Sequence, residues 1–173
     1  RTSSPGLQFL YWVIRAKGEE EGFKFIRKTM DQVHSYSPSW SAAYGLFTKK
    51  QAKMALSYVT SPVFPQVEEK NNDYVALGFK EGHPIQYEFM GIPDFCKNCE
   101  LAERFVNLML SDQGQRLIME KNFMFPIIKG VKEDTPFAQV PQFKTLKDFQ
   151  IPSAQEVERL LKKWSDVRRG DGN

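Results

Sequence analysis

Segments with helical apolar spacing alternate with short apolar runs along this chain, and this alternation limits the possible folds more than any other feature. Apolar residues at every third or fourth position predict helices over residues 5–17, 19–33, 39–47, 98–110, 111–121 and 153–167. Four shorter apolar runs predict strands over residues 54–59, 73–79, 84–91 and 123–128. Strands separated by helices indicate an α/β architecture rather than a bundle or a sandwich.

Length, composition and charge exclude several classes of protein. A chain of 173 residues fits one domain or two small lobes that share strands. Hydrophobic residues make up 41% of the chain, but no apolar run approaches the roughly 20 residues of a membrane span. The formal net charge of +3 is spread along the chain, so we expect no nucleic acid partner.

Motifs of catalytic and cofactor chemistry are absent from the sequence. It contains no G-x-x-x-x-G-K-[ST] phosphate loop, no G-x-G-x-x-G, no G-x-S-x-G and no H-E-x-x-H. Its two histidines, His34 and His83, lie far apart, and neither has a second ligand at metal-binding spacing. The acidic run at residues 19–21 stands at a helix start, where negative charge complements the helix dipole. We therefore predict no catalytic residue, no metal site and no cofactor.

Cys96 and Cys99 form the one motif with a redox character, C-x-x-C, just before a predicted helix. A pair at a helix N-terminus can have a lowered thiol pKa and exchange disulfides. A thioredoxin-like motif, however, directly follows a strand near the start of a domain, and this pair follows a loop-like segment late in the chain. The alternatives are a catalytic pair, a small structural disulfide or two idle thiols.

Four blocks of sequence carry a resemblance to a known family. They read R-T-S-S-P-G at residues 1–6, S-W-S-A-A-Y-G-L-F at 39–47, L-S-Y-V-T-S-P-V-F at 56–64 and E-L-A-E-R-F-V-N-L-M-L-S-D-Q-G-Q at 100–115. In this order they resemble the C-terminal half of type II periplasmic solute-binding proteins of ABC importers. The last block is shared broadly among type II periplasmic binding proteins. The second and third blocks are more specific, and they resemble the thiamin-binding branch.

The resemblance implies a fold and a division into domains. It implies a type II periplasmic-binding-protein-like α/β fold, with one lobe, part of the other, and a mixed sheet flanked by helices. Residues 1–83 would belong to the second lobe, and residues 84–173 would form a crossover strand and helices that pack on the first lobe. Family members have a further N-terminal part of similar length, so we expect this chain to be a fragment or trimmed product of a longer protein.

The resemblance also implies a ligand site made by two serines at the first helix and four aromatic residues: Ser3, Ser4, Trp40, Tyr58, Phe64 and Phe123. Aromatic residues are 13% of the chain, which leaves rings available to a ligand. Thiamin carries a flat aminopyrimidine and a cationic thiazolium, which suit stacking and cation–π contacts. The N–H groups of a helix N-terminus suit a phosphate.

Each of these residues has a structural alternative. Ser4 is a good N-cap before Pro5, so capping competes with ligand contact. Trp40 and Tyr58 can pack in a core. In the thiamin-binding branch that the sequence resembles, a Tyr stands at the position of Phe64 and a Trp at the position of Phe123. The two phenylalanines keep a π-face but lose a polar group, and Phe needs no partner to be buried.

The function that the resemblance implies is capture of thiamin, or its phosphates, and delivery to a membrane permease from the periplasm. The intact protein would be a monomer and not an enzyme. A first alternative keeps the class and changes the ligand to another organic cation, a metal complex or a phosphate ester. A second alternative is a thiol–disulfide oxidoreductase that uses Cys96 and Cys99.

Overall fold

A computed structural model of the chain describes residues 3–146 and 152–170. The α-helices, in chain order, are α1 (Ser4–Lys17), α2 (Glu19–Thr29), α3 (Trp40–Thr48), α4 (Val63–Glu68), α5 (Cys99–Met109), α6 (Asp112–Leu117) and α7 (Ala154–Arg169). Two 3-10 turns span Met30–Gln32 and Pro136–Gln139, and a π-helical turn spans Ile118–Asn122. The six predicted helices are confirmed.

Helix α4 has no counterpart among the predicted helices, because Pro62 and Pro65 interrupt its apolar pattern. Pro65 occupies the third position of the helix. The first N–H groups of a helix have no partner within it, so a proline there removes no helical hydrogen bond. The sequence pattern therefore indicated an interruption of regular structure at the residues where helix α4 begins.

The predicted strands over residues 54–59, 73–79, 84–91 and 123–128 are wrong for the part of the chain that the structure describes. These segments have no regular secondary structure apart from turns and bends, and the β-pairing found in the described residues is one isolated parallel bridge between His83 and Thr145. A strand needs a neighbouring strand to accept and donate its backbone hydrogen bonds. The local propensity for extended backbone is present in these segments, but ladder partners are absent from the described residues.

The chain divides into two compact units. The first unit comprises residues 3–57, 79–84, 144–146 and 152–170, and the second comprises residues 58–78 and 85–143. The chain therefore passes between the units after residues 57, 78, 84 and 143. The predicted division between residues 83 and 84 concerns the two lobes of the longer family members, and it stays a prediction.

The core of the first unit is formed by α1, α2 and α7. Its buried apolar side chains are Leu10, Val13, Phe23, Ile26, Leu160 and Val167. Burying a side chain of this size contributes about 1.5–3 kcal/mol, which is why apolar residues at helical spacing fold against one another. Gly22 allows a close approach of the helices, because a Cβ there would lie 3.3 Å from the Cα of Ile14.

The second unit has its own core beneath α4 and the π-helical turn. Its buried apolar side chains are Val63, Met119, Val131, Phe137 and Val140. The buried Gln115 organises the neighbouring turn, since its amide nitrogen donates to the Met109 carbonyl at 2.7 Å and its amide oxygen accepts from the Ile127 N–H at 2.8 Å. A buried amide with both polar ends satisfied fixes the chain around it.

Among the described residues, the structure contains no helix with the length and apolar character needed to cross a bilayer.

Candidate functional site

Ser3, rather than Ser4, caps helix α1. The Ser3 side-chain oxygen accepts a hydrogen bond from the Gly6 N–H at 3.3 Å, and Ser4 is the first helical residue. The prediction of Ser4 as N-cap is therefore wrong by one position, because Pro5 is tolerated at the second helical position as well as at the first. The predicted ligand contacts of Ser3 and Ser4 stay predictions.

Trp40 begins helix α3 in the first unit, with Ser39 as its N-cap. Its indole ring stacks on Tyr44, one helical turn later, with ring centroids 5.2 Å apart. Its Nε1–H donates to the Ser57 hydroxyl oxygen at 2.9 Å. Trp40 is half-buried, so one part of the ring is fixed by these contacts and another part is accessible. A ring held in this way offers a preformed aromatic face.

Tyr58 follows Ser57 and belongs to the second unit. Its backbone N–H donates to the Ser61 hydroxyl at 3.2 Å, which fixes the turn before α4. Burial raises the pKa of the Tyr58 hydroxyl, the negative charge of Glu88 raises it further, and a hydrogen bond from Gln86 opposes this change. The phenol therefore stays protonated at neutral pH and can donate a hydrogen bond.

Phe64 and Phe123 are brought together in the second unit. Their ring centroids lie 5.4 Å apart with an interplanar angle of 78°, an edge-to-face contact. Phe123 follows the π-helical turn and has a φ of 52°, in the left-handed region that non-glycine residues seldom adopt. Neither ring is fully buried, and Phe64 is 40% exposed. The pair thus presents part of its aromatic surface to solvent.

A polar network that includes Asn122, the residue before Phe123, was not predicted from the sequence. The Glu88 carboxylate accepts a hydrogen bond from the Gln86 amide at 3.3 Å and another from the Asn122 amide at 3.1 Å. Gln86 also hydrogen-bonds Tyr58, and Asn122 immediately precedes Phe123. The sequence did contain a signal for this network, because Gln86 and Glu88 are polar residues two apart in an otherwise apolar run that was predicted as a strand.

Three of the six predicted site residues belong to the second unit, and two of them are in contact. Phe64 and Phe123 touch, and Tyr58 is connected through the Gln86–Glu88–Asn122 network to the residue before Phe123. Ser3, Ser4 and Trp40 belong to the first unit. A common wall formed by Trp40 and Tyr58 stays a prediction.

Cys96 and Cys99 are joined by a disulfide. The bond links the loop before α5 to the first residue of that helix, and Cys99 is exposed. The residues that precede the pair form no strand, unlike the setting of a thioredoxin-like motif. In the two described stretches, 3–146 and 152–170, no three His, Cys, Asp or Glu side chains are grouped as a metal site would require.

Comparison with known proteins places these observations in a family. The model of the bacterial extracellular solute-binding protein family matches residues 3–145. The chain belongs to this family, and the predicted resemblance is confirmed. The family is one of solute-binding proteins, so the aromatic and polar groups described above are candidate ligand contacts.

Individual relatives are more specific. A thiamine-binding periplasmic protein of Brucella melitensis is 41% identical over 165 residues, which is 95% of this chain and 48% of the relative. Proteins of the same name in Haemophilus influenzae and Escherichia coli are 34% and 37% identical, over 95% and 73% of this chain. The chain spans about half the length of the relatives that it matches most fully.

A solved structure of a periplasmic thiamin binding protein is also similar. It superimposes with a TM-score of 0.77 at 29% identity, over 98% of this chain and 52% of that chain. This similarity confirms the predicted type II periplasmic-binding-protein fold. The predicted mixed sheet is not formed by the described residues.

Proposed function

We propose that this chain is part of a periplasmic solute-binding component of an ABC importer that captures thiamin and its phosphates. The observation that carries the proposal is the 41% identity over 95% of the chain to a protein named for thiamin binding. The names of the relatives also support the predicted periplasmic location. The protein binds and releases its ligand without covalent chemistry, and it delivers the ligand to a membrane permease.

The aromatic side chains supply the surfaces that the ligand needs. Trp40 in the first unit and the Phe64–Phe123 pair in the second are held by hydrogen bonds or ring contacts, yet each is partly accessible. Each stacking or cation–π contact contributes about 0.5–2 kcal/mol, so a few rings and hydrogen bonds account for micromolar or tighter binding. Tyr58 adds a hydroxyl donor for the aminopyrimidine.

The N-terminus of α1 is the proposed contact for a thiamin phosphate. Ser3 and Ser4 lie where free N–H groups and the helix dipole attract an anion. The Ser3 hydroxyl already accepts from Gly6, and it can still donate its proton to a phosphate oxygen. We expect thiamin phosphate to lose affinity in a Ser3→Ala variant, and unphosphorylated thiamin to keep it.

The architecture of the intact protein is part of the same proposal. Residues 1–83 and 84–173 would contribute to two lobes, and the extended segments would complete a mixed sheet flanked by helices. Val75, Leu77 and Phe89 are exposed by 73%, 54% and 92% in these segments, which is unusual for large apolar side chains. Ligand binding would close the lobes of a monomeric protein and present the closed form to the permease.

Isothermal titration calorimetry of the intact two-lobed protein tests the function. We expect saturable heat with thiamin and with thiamin phosphate, and a weaker response for this chain alone because a cleft ligand would then contact one wall. No response at high micromolar thiamin would reject the proposal. In that case, titration with a panel of other organic cations, metal complexes and phosphate esters would identify the ligand of a solute-binding protein of the same class.

A further inference from the structure

We propose that Glu88 selects a positively charged ligand, by holding an unneutralised carboxylate on Asn122, the residue that precedes Phe123 of the Phe64–Phe123 ring pair. This inference rests on the proposed function and deepens it, since it assigns the recognition of the ligand's charge to one residue. Glu88 is absent from the residues that the sequence predicted, and its role follows from the hydrogen bonds of the second unit.

The carboxylate of Glu88 is oriented without being neutralised. One oxygen accepts from the Gln86 amide and the other from the Asn122 amide, at 3.3 and 3.1 Å. Amides donate hydrogen bonds but carry no charge, so the negative charge remains available to a ligand. In residues 3–146 and 152–170, the ion pairs with Lys or Arg do not involve Glu88.

The hydrogen-bonding partners of Glu88 connect it to the aromatic surface. Asn122 ends the π-helical turn, and Phe123 follows it with a left-handed backbone and contacts Phe64 through its ring. Gln86 connects the same carboxylate to the Tyr58 side chain. A carboxylate and aromatic faces within one binding site together recognise a flat organic cation.

A purely structural role explains Glu88 poorly. The side chain is exposed, so it fills no space in the core around Val63 and Met119. Exposed hydrogen bonds of this kind contribute little to the free energy of unfolding. Two amides hold the carboxylate, one from Gln86 on the same segment and one from Asn122 in a distant segment. They fix its position, as discrimination between ligands requires.

The test compares a cationic ligand with a neutral one of the same shape. The probes are thiamin and deazathiamin, in which a neutral thiophene replaces the thiazolium. Binding to the intact protein is measured by calorimetry for the wild type and for Glu88→Gln, Glu88→Asp and the control Glu133→Gln. Glu133 is an exposed carboxylate of the same unit and has no place in the network. Circular dichroism and thermal melting verify the fold of each variant.

We expect Glu88→Gln to weaken thiamin binding by about tenfold or more and to change deazathiamin binding by less than about twofold. Glu88→Asp keeps the charge and is expected to retain most of the preference for thiamin. Glu133→Gln is expected to match the wild type with both probes. Equal losses for both probes in Glu88→Gln, or no loss for thiamin, would overturn the assignment of Glu88 while leaving the proposed function in place.

Binding of the two probes to the wild-type protein distinguishes failure of the Glu88 assignment from failure of the proposed function. If the wild-type protein binds neither probe, the proposed function fails and the role of Glu88 fails with it. If the wild type binds deazathiamin as tightly as thiamin, the protein does not discriminate by charge, and the inference fails although the ligand class stands. The salt dependence of thiamin binding gives an independent readout, since it should be steeper for the wild type than for Glu88→Gln.

Discussion

The indole Nε1–H of Trp12 donates a hydrogen bond to the backbone carbonyl of Gly82, 2.7 Å away, and so ties helix α1 to the turn at residues 79–84. The same turn continues into His83, whose N–H donates to the Lys144 carbonyl and whose carbonyl accepts from the Leu146 N–H. The turn is therefore held from two sides within the first unit, and both contacts are close to points where the chain passes between units.

Replacement of Gly82 by alanine is expected to destabilise the protein strongly. Gly82 has a φ of +98°, and a Cβ there would lie 2.8 Å from the backbone carbonyl of Thr145. Gly130 is the matched control, because its φ is +87° and a Cβ there meets nothing within 4 Å. Both variants incur backbone strain of about 1–3 kcal/mol, and Gly82→Ala adds a clash of about 1–3 kcal/mol.

Urea unfolding at constant pH measures this difference in the free energy of unfolding. Gly82→Ala should unfold at a clearly lower denaturant concentration than Gly130→Ala. Similar midpoints for the two variants would show that the Thr145 backbone moves aside at little energetic cost, and that the bridge between residues 83 and 145 is weak.

Glu19 is expected to make stability dependent on pH in the acidic range. Hydrogen bonds from Arg159 and Lys163 lower the pKa of Glu19 from 4.5 to about 2. Because the folded-state pKa is depressed, the stabilisation is present above the unfolded value of 4.5 and is lost as pH falls toward 2. The interaction is partly exposed to solvent, so salt should weaken it.

Glu19→Gln should therefore unfold at a lower temperature than the wild type at neutral pH, and the difference should shrink as pH falls from 4.5 toward 2. Glu158→Gln is the control, since Glu158 is an exposed carboxylate of α7, the helix that carries Arg159 and Lys163. Thermal melts across this pH range measure the effect. A Glu19→Gln difference that does not change with pH would contradict the assigned pairing.

The sequence predicted the helices of this chain well because their signals are local. Capping serines and apolar residues at helical spacing act within one or two turns. Helix α7, with Ser153 as its N-cap, shows both signals, and α2, which follows Gly18, shows the apolar spacing. Strands depend on partners elsewhere, and residues 73–79 show that an apolar run with aromatic residues forms no regular secondary structure without them. The resemblance identified the family because its blocks preserve order as well as composition.

The candidate site was predicted only in part, for a related reason. Aromatic residues in matched blocks could be assigned by resemblance, and the Phe64–Phe123 contact is consistent with a common site. Glu88 could not be assigned, because its importance comes from Gln86 and from Asn122, 34 residues later in the chain. Polar networks of this kind depend on tertiary structure, which no local pattern records.

Trp40 is expected to contribute to ligand affinity through its ring and through its anchor on Ser57. Trp40→Ala removes both and should weaken thiamin binding by about tenfold, corresponding to roughly 1.4 kcal/mol. Trp40→Phe keeps a π-face but loses the hydrogen bond to Ser57, so a smaller loss is expected. Phe47→Leu, on the same helix, is the control for a change in α3 packing. Equal affinity of wild type and Trp40→Ala in calorimetry would remove Trp40 from the site.

The disulfide between Cys96 and Cys99 is expected to be structural rather than catalytic. It closes a loop with a sequence separation of 3 and ties that loop to the start of α5. In the chain-entropy description, a disulfide that closes so short a loop stabilises the folded protein by about 2 kcal/mol or less. A modest fall in melting temperature on reduction by dithiothreitol, with no catalysis of insulin reduction, is the expected result. Insulin reduction that disappears in Cys96→Ser would instead support the oxidoreductase alternative.

Phe123→Trp is expected to tighten the binding of a cationic ligand, since an indole face attracts a cation more strongly than a phenyl face. The backbone at Phe123 is already left-handed, and Trp has no β-branch to add strain there. Calorimetry should show a gain of about two- to tenfold for thiamin. Phe123→Leu keeps the apolar volume without the ring and should lose affinity. If both variants bind thiamin as the wild type does, Phe123 contacts Phe64 for packing alone and the ring pair is not part of the site.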